Sequence, residues 1–264
     1  MSPATLGVWL PLAQAPLLML WASARDPVAL PVSSLAPMAG SVVLSLLGLL
    51  GFMQALRYSP MSLTVPLLSF TPVLATLLAW IFRHQTPTPN QGLGALLVLA
   101  GAMVLGMKSA QWPGFRTFLT DPGVRYMSGA AVVWSVTAIL NQMALERGAN
   151  AWYAPFLSLA VGLLMAVTLL VLRQGKALRQ SLGKLSRLPG LTALALLLGA
   201  AALAVELEAL RLAPVGFIEV IKRGLGMSGA ILFGRIFFHE PVGFHKITAV
   251  LLMTAGVALV VLES

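Results

Sequence analysis

Glu219, Lys222 and Arg223 stand well inside an otherwise apolar run at 213–237. Spacings of three and four residues put the carboxylate on one helical face with both cations, so local ion pairing is available. One carboxylate neutralises one cation, and the cluster keeps a net charge of about +1 by this pairing. Charge at membrane depth is costly, and such groups usually face a cavity or a partner. An arginine fork beside a mobile lysine charge suits an anion. The same three residues would also serve as a purely architectural salt bridge. Gly224, Gly226, Ser228 and Gly229 follow, small enough to let a neighbouring backbone or a ligand come close.

Glu206 and Glu208 close the apolar run 190–210, and Asn141 and Gln142 close the run 126–145. Near a helix end these side chains can reach interfacial water. Alternatively, one of the two faces the Lys222/Arg223 cluster or carries a coupling proton, as intramembrane carboxylates do. Asn141 and Gln142 could line the same cavity. The candidate substrate-binding set is therefore Lys222, Arg223, Glu219, Glu208 and Asn141. His239-Glu240 and His245 lack the His-Glu-x-x-His spacing of a zinc site. With no cysteine, thiolate metal sites, disulfides and Cys nucleophiles are excluded. No Ser/His/Asp constellation stands out, so no enzyme, no resident metal and no cofactor are expected. Gly92, Gly94, Gly101 and Gly106 fit close helix packing better than phosphate cradling, since no Gly-rich loop joins a strand to a helix.

The elements that hold these residues follow from composition. The 264 residues are 58% hydrophobic and only 9% charged, with mean hydropathy +0.91. Soluble domains carry about 25% charged residues, so a soluble enzyme, a disordered tail and a secreted scaffold are all excluded. The net charge is +9, but the basic residues are scattered singly between apolar runs. That pattern signals basic loops on one side of a membrane rather than a nucleic-acid surface.

A spanning helix needs about 20 mostly apolar residues. Nine stretches qualify: 5–24, 35–56, 61–82, 91–108, 126–145, 152–172, 190–210, 213–237 and 242–262. Backbone groups in lipid must be paired internally, so closely spaced runs of this kind form a helical bundle. Pro11 and Pro16 are expected to kink the first span. No basic n-region precedes that span, so no cleavable signal peptide is expected.

The chain also repeats itself. Ala55-Leu56-Arg57-Tyr58-Ser59-Pro60 recurs as Ala209-Leu210-Arg211-Leu212-Ala213-Pro214. Thr86-Pro87 answers to Glu240-Pro241, Leu99-Ala100-Gly101 to Thr254-Ala255-Gly256, and Leu17-Leu18-Met19 to Leu163-Leu164-Met165. Four spans of the first copy thus match the last four, while 126–145 has no partner. The copies occupy 1–108 and 126–264. An odd offset sets them in opposite orientations, the inverted repeat of many secondary transporters. In this register Glu219, Lys222 and Arg223 correspond to Val65, Leu68 and Ser69, and Glu208 to Gln54.

With these motifs the sequence resembles the EamA-type branch of the drug/metabolite transporter superfamily. The resemblance implies an all-α polytopic membrane protein, an inverted-repeat bundle here of about nine transmembrane helices. The usual member has ten helices, so it also implies that the first helix is missing. Lys222-Arg223 is similar to the pair that meets the anionic substrate group in the sugar-phosphate and nucleotide-sugar translocator branches.

The expected function is a secondary carrier that moves a small polar, anionic metabolite by alternating access. With no nucleotide-binding motif, exchange or ion coupling would drive it. The alternative is a non-transporting membrane subunit that needs a partner protein. The expected partners are a small-molecule substrate, the lipid bilayer, and a second copy or another protein covering the missing-helix surface; nucleic acid is not among them. The expected location is the bacterial cytoplasmic membrane. Lys and Arg concentrate on the connections after the second, fourth, sixth and eighth spans, which places the N-terminus inside and the C-terminus outside. The resemblance implies the reverse, because the usual member ends in the cytoplasm.

Overall fold

A computed structural model of the chain describes residues 3–59, 64–107, 120–172, 189–238 and 243–262. Among these the α-helices are α1 (Pro3–Ser23), α2 (Val32–Tyr58), α3 (Phe70–Arg83), α4 (Pro89–Met107), α5 (Pro122–Glu146), α6 (Tyr153–Val171), α7 (Pro189–Leu212), α8 (Val215–Phe238) and α9 (Phe244–Val261). Each falls on one of the nine apolar stretches, and the described residues contain no strand. Five of the helices, α2, α5, α6, α7 and α9, contain segments long and apolar enough to cross a membrane.

Local chemistry sets several helix ends. α4 opens on a capping box: Thr88 Oγ1 accepts from Gln91 N at 3.2 Å, and Gln91 Oε1 accepts from Thr88 N at 3.4 Å. Two donors left over at the first turn are thereby satisfied. α5 is capped by Asp121, whose Oδ1 accepts from Val124 N at 2.9 Å. In both helices proline occupies the first position, where its missing N–H costs no bond. Gly148 follows α5 with φ +96°, a left-handed conformation that glycine adopts without strain.

Two spans depart from a plain helix. α1 runs unbroken through Pro11 and Pro16. Ser158 Oγ supplies an extra donor to the Pro11 carbonyl at 2.7 Å, beside the Leu12 carbonyl that Pro16 leaves without its amide partner. The third span is divided. Val65–Ser69 form a 3-10 segment, and the 14-residue α3 follows. At 1.5 Å per residue α3 reaches about 21 Å, and the 3-10 segment adds about 10 Å. Together they come to about the 30 Å of a hydrocarbon core.

The chain packs as two units. The first comprises 1–53 and 140–212, the second 54–139 and 213–264. In the first unit α1 packs against α6 and α7. Val8, Met165 and Leu169 form its core, flanked by Leu12, Leu49 and Met53. α1 and α6 are antiparallel: Val8 shares its cluster with Met165 and Leu169, whereas Pro11 meets Ser158.

The second unit is built on α4, α8 and α9, whose Ala95, Val98, Val220, Ala249, Met253 and Val257 share one core. A Cβ on Gly94 would stand 2.6 Å from the carbonyl oxygen of Gly256, and one on Gly101 would stand 2.8 Å from that of Ala249. Backbones approach this closely only where one helix offers glycine. Following α4 from Gly94 to Gly101, the neighbour on α9 runs from Gly256 back to Ala249, so these helices are antiparallel too. In the sequence repeat Gly94 is equivalent to Ala249, and Gly101 to Gly256. Each glycine therefore meets the repeat equivalent of the other, the contact rule of a two-fold axis.

Candidate functional site

α3 and α8, also repeat equivalents, cross within the second unit. Thr76 lies against Gly216, Thr71 against Arg223, and Ser69 against Met227, again an antiparallel order. The charged residues of α8 sit at this crossing. Arg223 is its ninth residue, about 12 Å along a helix of about 36 Å.

Glu219 is the centre of the cluster and is 1% exposed. Its Oε1 pairs with Lys222 Nζ, and its Oε2 lies 3.8 Å from Arg223 Nε. Both Oε2 and Nε are buried and, among the described residues, form no hydrogen bond. The arginine is thus held by charge alone on that side. Its Nη2 donates to Thr71 Oγ1 at 3.5 Å. Ser135 Oγ of α5 is bonded to the Thr71 carbonyl at 3.3 Å. The Lys222 and Arg223 side chains remain 35% and 20% exposed, while the carboxylate that holds them is shut away. Removing it would strand two charges, a change that commonly costs about 3–5 kcal/mol for a buried pair. A group that meets the cations from their open side faces a positive centre, with hydroxyls close by.

The repeat explains why the cluster is one-sided. Val65 to Ser69, the equivalents of Glu219 to Arg223, form the 3-10 segment, with Pro66 in its first turn. One copy thus contributes a break and the Ser69 hydroxyl where the other contributes an unbroken helix and three charges.

The remaining candidates lie in the first unit, in two separate groups. Glu208 binds Arg25 Nη2 at 3.2 Å and Arg211 Nη1 at 3.5 Å. Arg211 Nη2 also donates to the Ala149 carbonyl at 2.9 Å. Asp26 joins the same end of the unit: its Oδ2 accepts from Ala151 N at 2.9 Å and its carbonyl from Trp152 Nε1 at 3.0 Å. The connections after α1 and α5 and the end of α7 are thereby laced together. Glu206 is half-buried on α7.

Asn141 is 5% exposed. Its Oδ1 accepts from Ser41 Oγ and from Tyr153 OH, the latter at 2.6 Å. Gln142 Nε2 donates to the Leu210 carbonyl at 3.4 Å. The triad of Ser41, Asn141 and Tyr153 draws on α2, α5 and α6. Only Asn141 stands out from sequence, because serines and tyrosines acquire meaning here from their neighbours.

Of the small residues after the cluster, Gly224 packs against Val257 and Val98, whereas a Cβ on Gly226 or Gly229 would meet nothing within 4 Å. Gly92 is likewise open. The turn at His239-Glu240 lies outside the described residues. No group of three or more His, Cys, Asp or Glu among the described residues is arranged to hold a metal.

Comparison with known proteins supplies an independent line. The family model described as "EamA-like transporter family" matches residues 1–107 and 121–262. A solved structure described as "Crystal structure of protein" superposes with a TM-score of 0.78 at 17% identity, covering 100% of this chain and 90% of that one. At that identity the likeness concerns the fold alone. No curated protein matches the chain.

Proposed function

The chain belongs to the EamA-like transporter family and is an integral membrane protein; from that premise we propose that it is a secondary carrier for a small polar metabolite with an anionic group. The observation that carries the reading is the Glu219–Lys222–Arg223 cluster: a buried carboxylate, and two cations with part of their surface open. It lies where two repeat-equivalent helices cross, one of them discontinuous. Carriers built from inverted repeats bind substrate in such places, between the repeats and beside broken helices.

In this reading Arg223 supplies a bidentate fork and Lys222 a point charge to a phosphate or carboxylate. Ser69 and Thr71 offer hydroxyls to the neutral part of the molecule. Glu219 fixes the two cations in the absence of cargo and lowers the cost of holding them in the membrane. Alternating access then exposes the site to each side in turn, with exchange or ion coupling as the energy source. In this reading the basic connections lie in the cytoplasm together with the N-terminus, and the bacterial cytoplasmic membrane is the proposed location.

The test is uptake into proteoliposomes from a panel of sugar phosphates, nucleotide sugars, carboxylates and neutral sugars. At least one anion should be taken up, with its neutral analogue excluded. Arg223→Ala should then weaken apparent affinity by ten- to a hundredfold, since charged hydrogen bonds contribute about 1.5–3 kcal/mol. Uptake of neutral compounds only, or full anion uptake with Lys222, Arg223 and Glu219 all replaced by leucine, would remove the cluster from the mechanism.

A further inference from the structure

The second unit carries another pair of arginines in a setting that the transport reading does not use. Arg57-Tyr58 closes α2, and Arg125-Tyr126 lies in the first turn of α5. The two tyrosine rings stack with centroids 5.7 Å apart and planes 7° from parallel. Tyr58 is 55% exposed and Tyr126 43%, so the stack is an open platform. Both arginines, each adjacent in sequence to a stacked tyrosine, are exposed. A cavity of about 410 Å³ opens beside Pro122, Arg125 and Tyr126. The nearby carboxylate is already engaged: Asp121 Oδ1 accepts from Ser59 Oγ at 2.5 Å and from Val124 N at 2.9 Å.

The internal repeat supplies a control. Arg211, the equivalent of Arg57, is bonded to Glu208 and to the Ala149 carbonyl. The residue equivalent to Glu208 is Gln54, and among the described residues no carboxylate pairs with Arg57 or Arg125. The second copy satisfies its arginine within the protein; the first leaves its own open.

From these observations we infer that Arg57, Tyr58, Arg125 and Tyr126 form a binding site for the headgroup of an anionic phospholipid. Exposed tyrosines at the ends of spanning helices sit at headgroup level, which favours a ligand presented by the bilayer over one from solution. The arginines bind the phosphate in charge-assisted hydrogen bonds, and the phenol rings lie along the glycerol and the upper acyl chain.

The full chain, purified and delipidated in detergent, is offered phosphatidylglycerol and phosphatidylcholine with identical acyl chains, and retained lipid is counted by native mass spectrometry. Phosphatidylglycerol should be retained preferentially. Each arginine near an anionic surface is worth roughly fivefold in affinity, so R57A with R125A should cut that preference by about twenty-five-fold. R57K with R125K should keep most of it, and R147A, at an exposed arginine of the first unit, should keep it all. Should the double alanine variant fail to fold, Q54E keeps both arginines and installs the carboxylate that Glu208 provides in the other copy; it should weaken retention by itself. Equal retention of the two lipids overturns the site. So does a preference that survives both the double alanine and the Q54E changes. Displacement of the lipid by equimolar inorganic phosphate assigns the pocket to a soluble anion and overturns the lipid reading.

Discussion

Glu219 has two roles that a single substitution separates. As a counter-ion in a binding site it competes with the substrate for Lys222 and Arg223; as a structural partner it keeps two cations from being stranded. In the first role Glu219→Gln should tighten anion binding, and added anion should restore most of the melting temperature that the variant loses. In the second it should lower the melting temperature whether or not anion is present. Thermal melts in detergent with and without sugar phosphate distinguish the two, and the site reading expects the first outcome. At this scale the sequence was informative where charge is concerned, because an ionisable residue inside an apolar run has few bland explanations. It was mute about Thr71, Ser41 and Tyr153. Each acquires its meaning from a partner distant in sequence, and no local pattern marks a hydroxyl that will meet Arg223 or Asn141. Glu208 illustrates another limit. Its sequence position allows interfacial water, the cluster or a coupling proton, while the fold shows two arginines binding it, one of them 183 residues away.

The helices themselves were legible almost to their ends, since about 20 apolar residues between polar connections leave little choice in a bilayer. The division of the third span was less so: Pro66 and Pro72 are its local signals, and hydropathy is insensitive to them. The glycines sort only once the packing is known. Gly94 and Gly92 lie two residues apart on α4, yet a Cβ on the first would stand 2.6 Å from a backbone oxygen and one on the second would meet nothing within 4 Å. Gly94→Ala should therefore destabilise by about 1–3 kcal/mol through overpacking. Gly92→Ala should be neutral or stabilise by up to about 1 kcal/mol through helix propensity. Melting temperatures of the two variants, measured side by side, check the contrast, and equal values would mean that α4 and α9 are not in contact at Gly94.

For the whole molecule, the sequence repeat and the packing divide the chain differently. The copies read from sequence run in succession, whereas each packed unit takes segments from both halves of the chain. Sequence similarity records which helices correspond; packing records which helices touch, and the antiparallel pairing of equivalents makes these different partitions. Orientation in the bilayer is decided by charge outside the helices. A cysteine at Gln180, in a chain with no other, should resist an impermeant thiol reagent in intact cells if the basic connections are cytoplasmic. Ready labelling there would reverse the topology.

The contact rule across α4 and α9, in which each of two residues meets the repeat equivalent of the other, is the rule by which two separate chains form a closed dimer. Specificity for assembly is therefore written on helix surfaces and does not require that the halves be joined. Split between residues 107 and 120, the protein becomes two polypeptides, and neither contains a complete packed unit. Made together, they should find each other and co-purify through a tag on one alone; made singly, each should be cleared by the cell. Gly94→Leu, placed on the first fragment, should weaken that association by removing the α4–α9 contact, leaving α1 against α6 and α7 as the remaining hold.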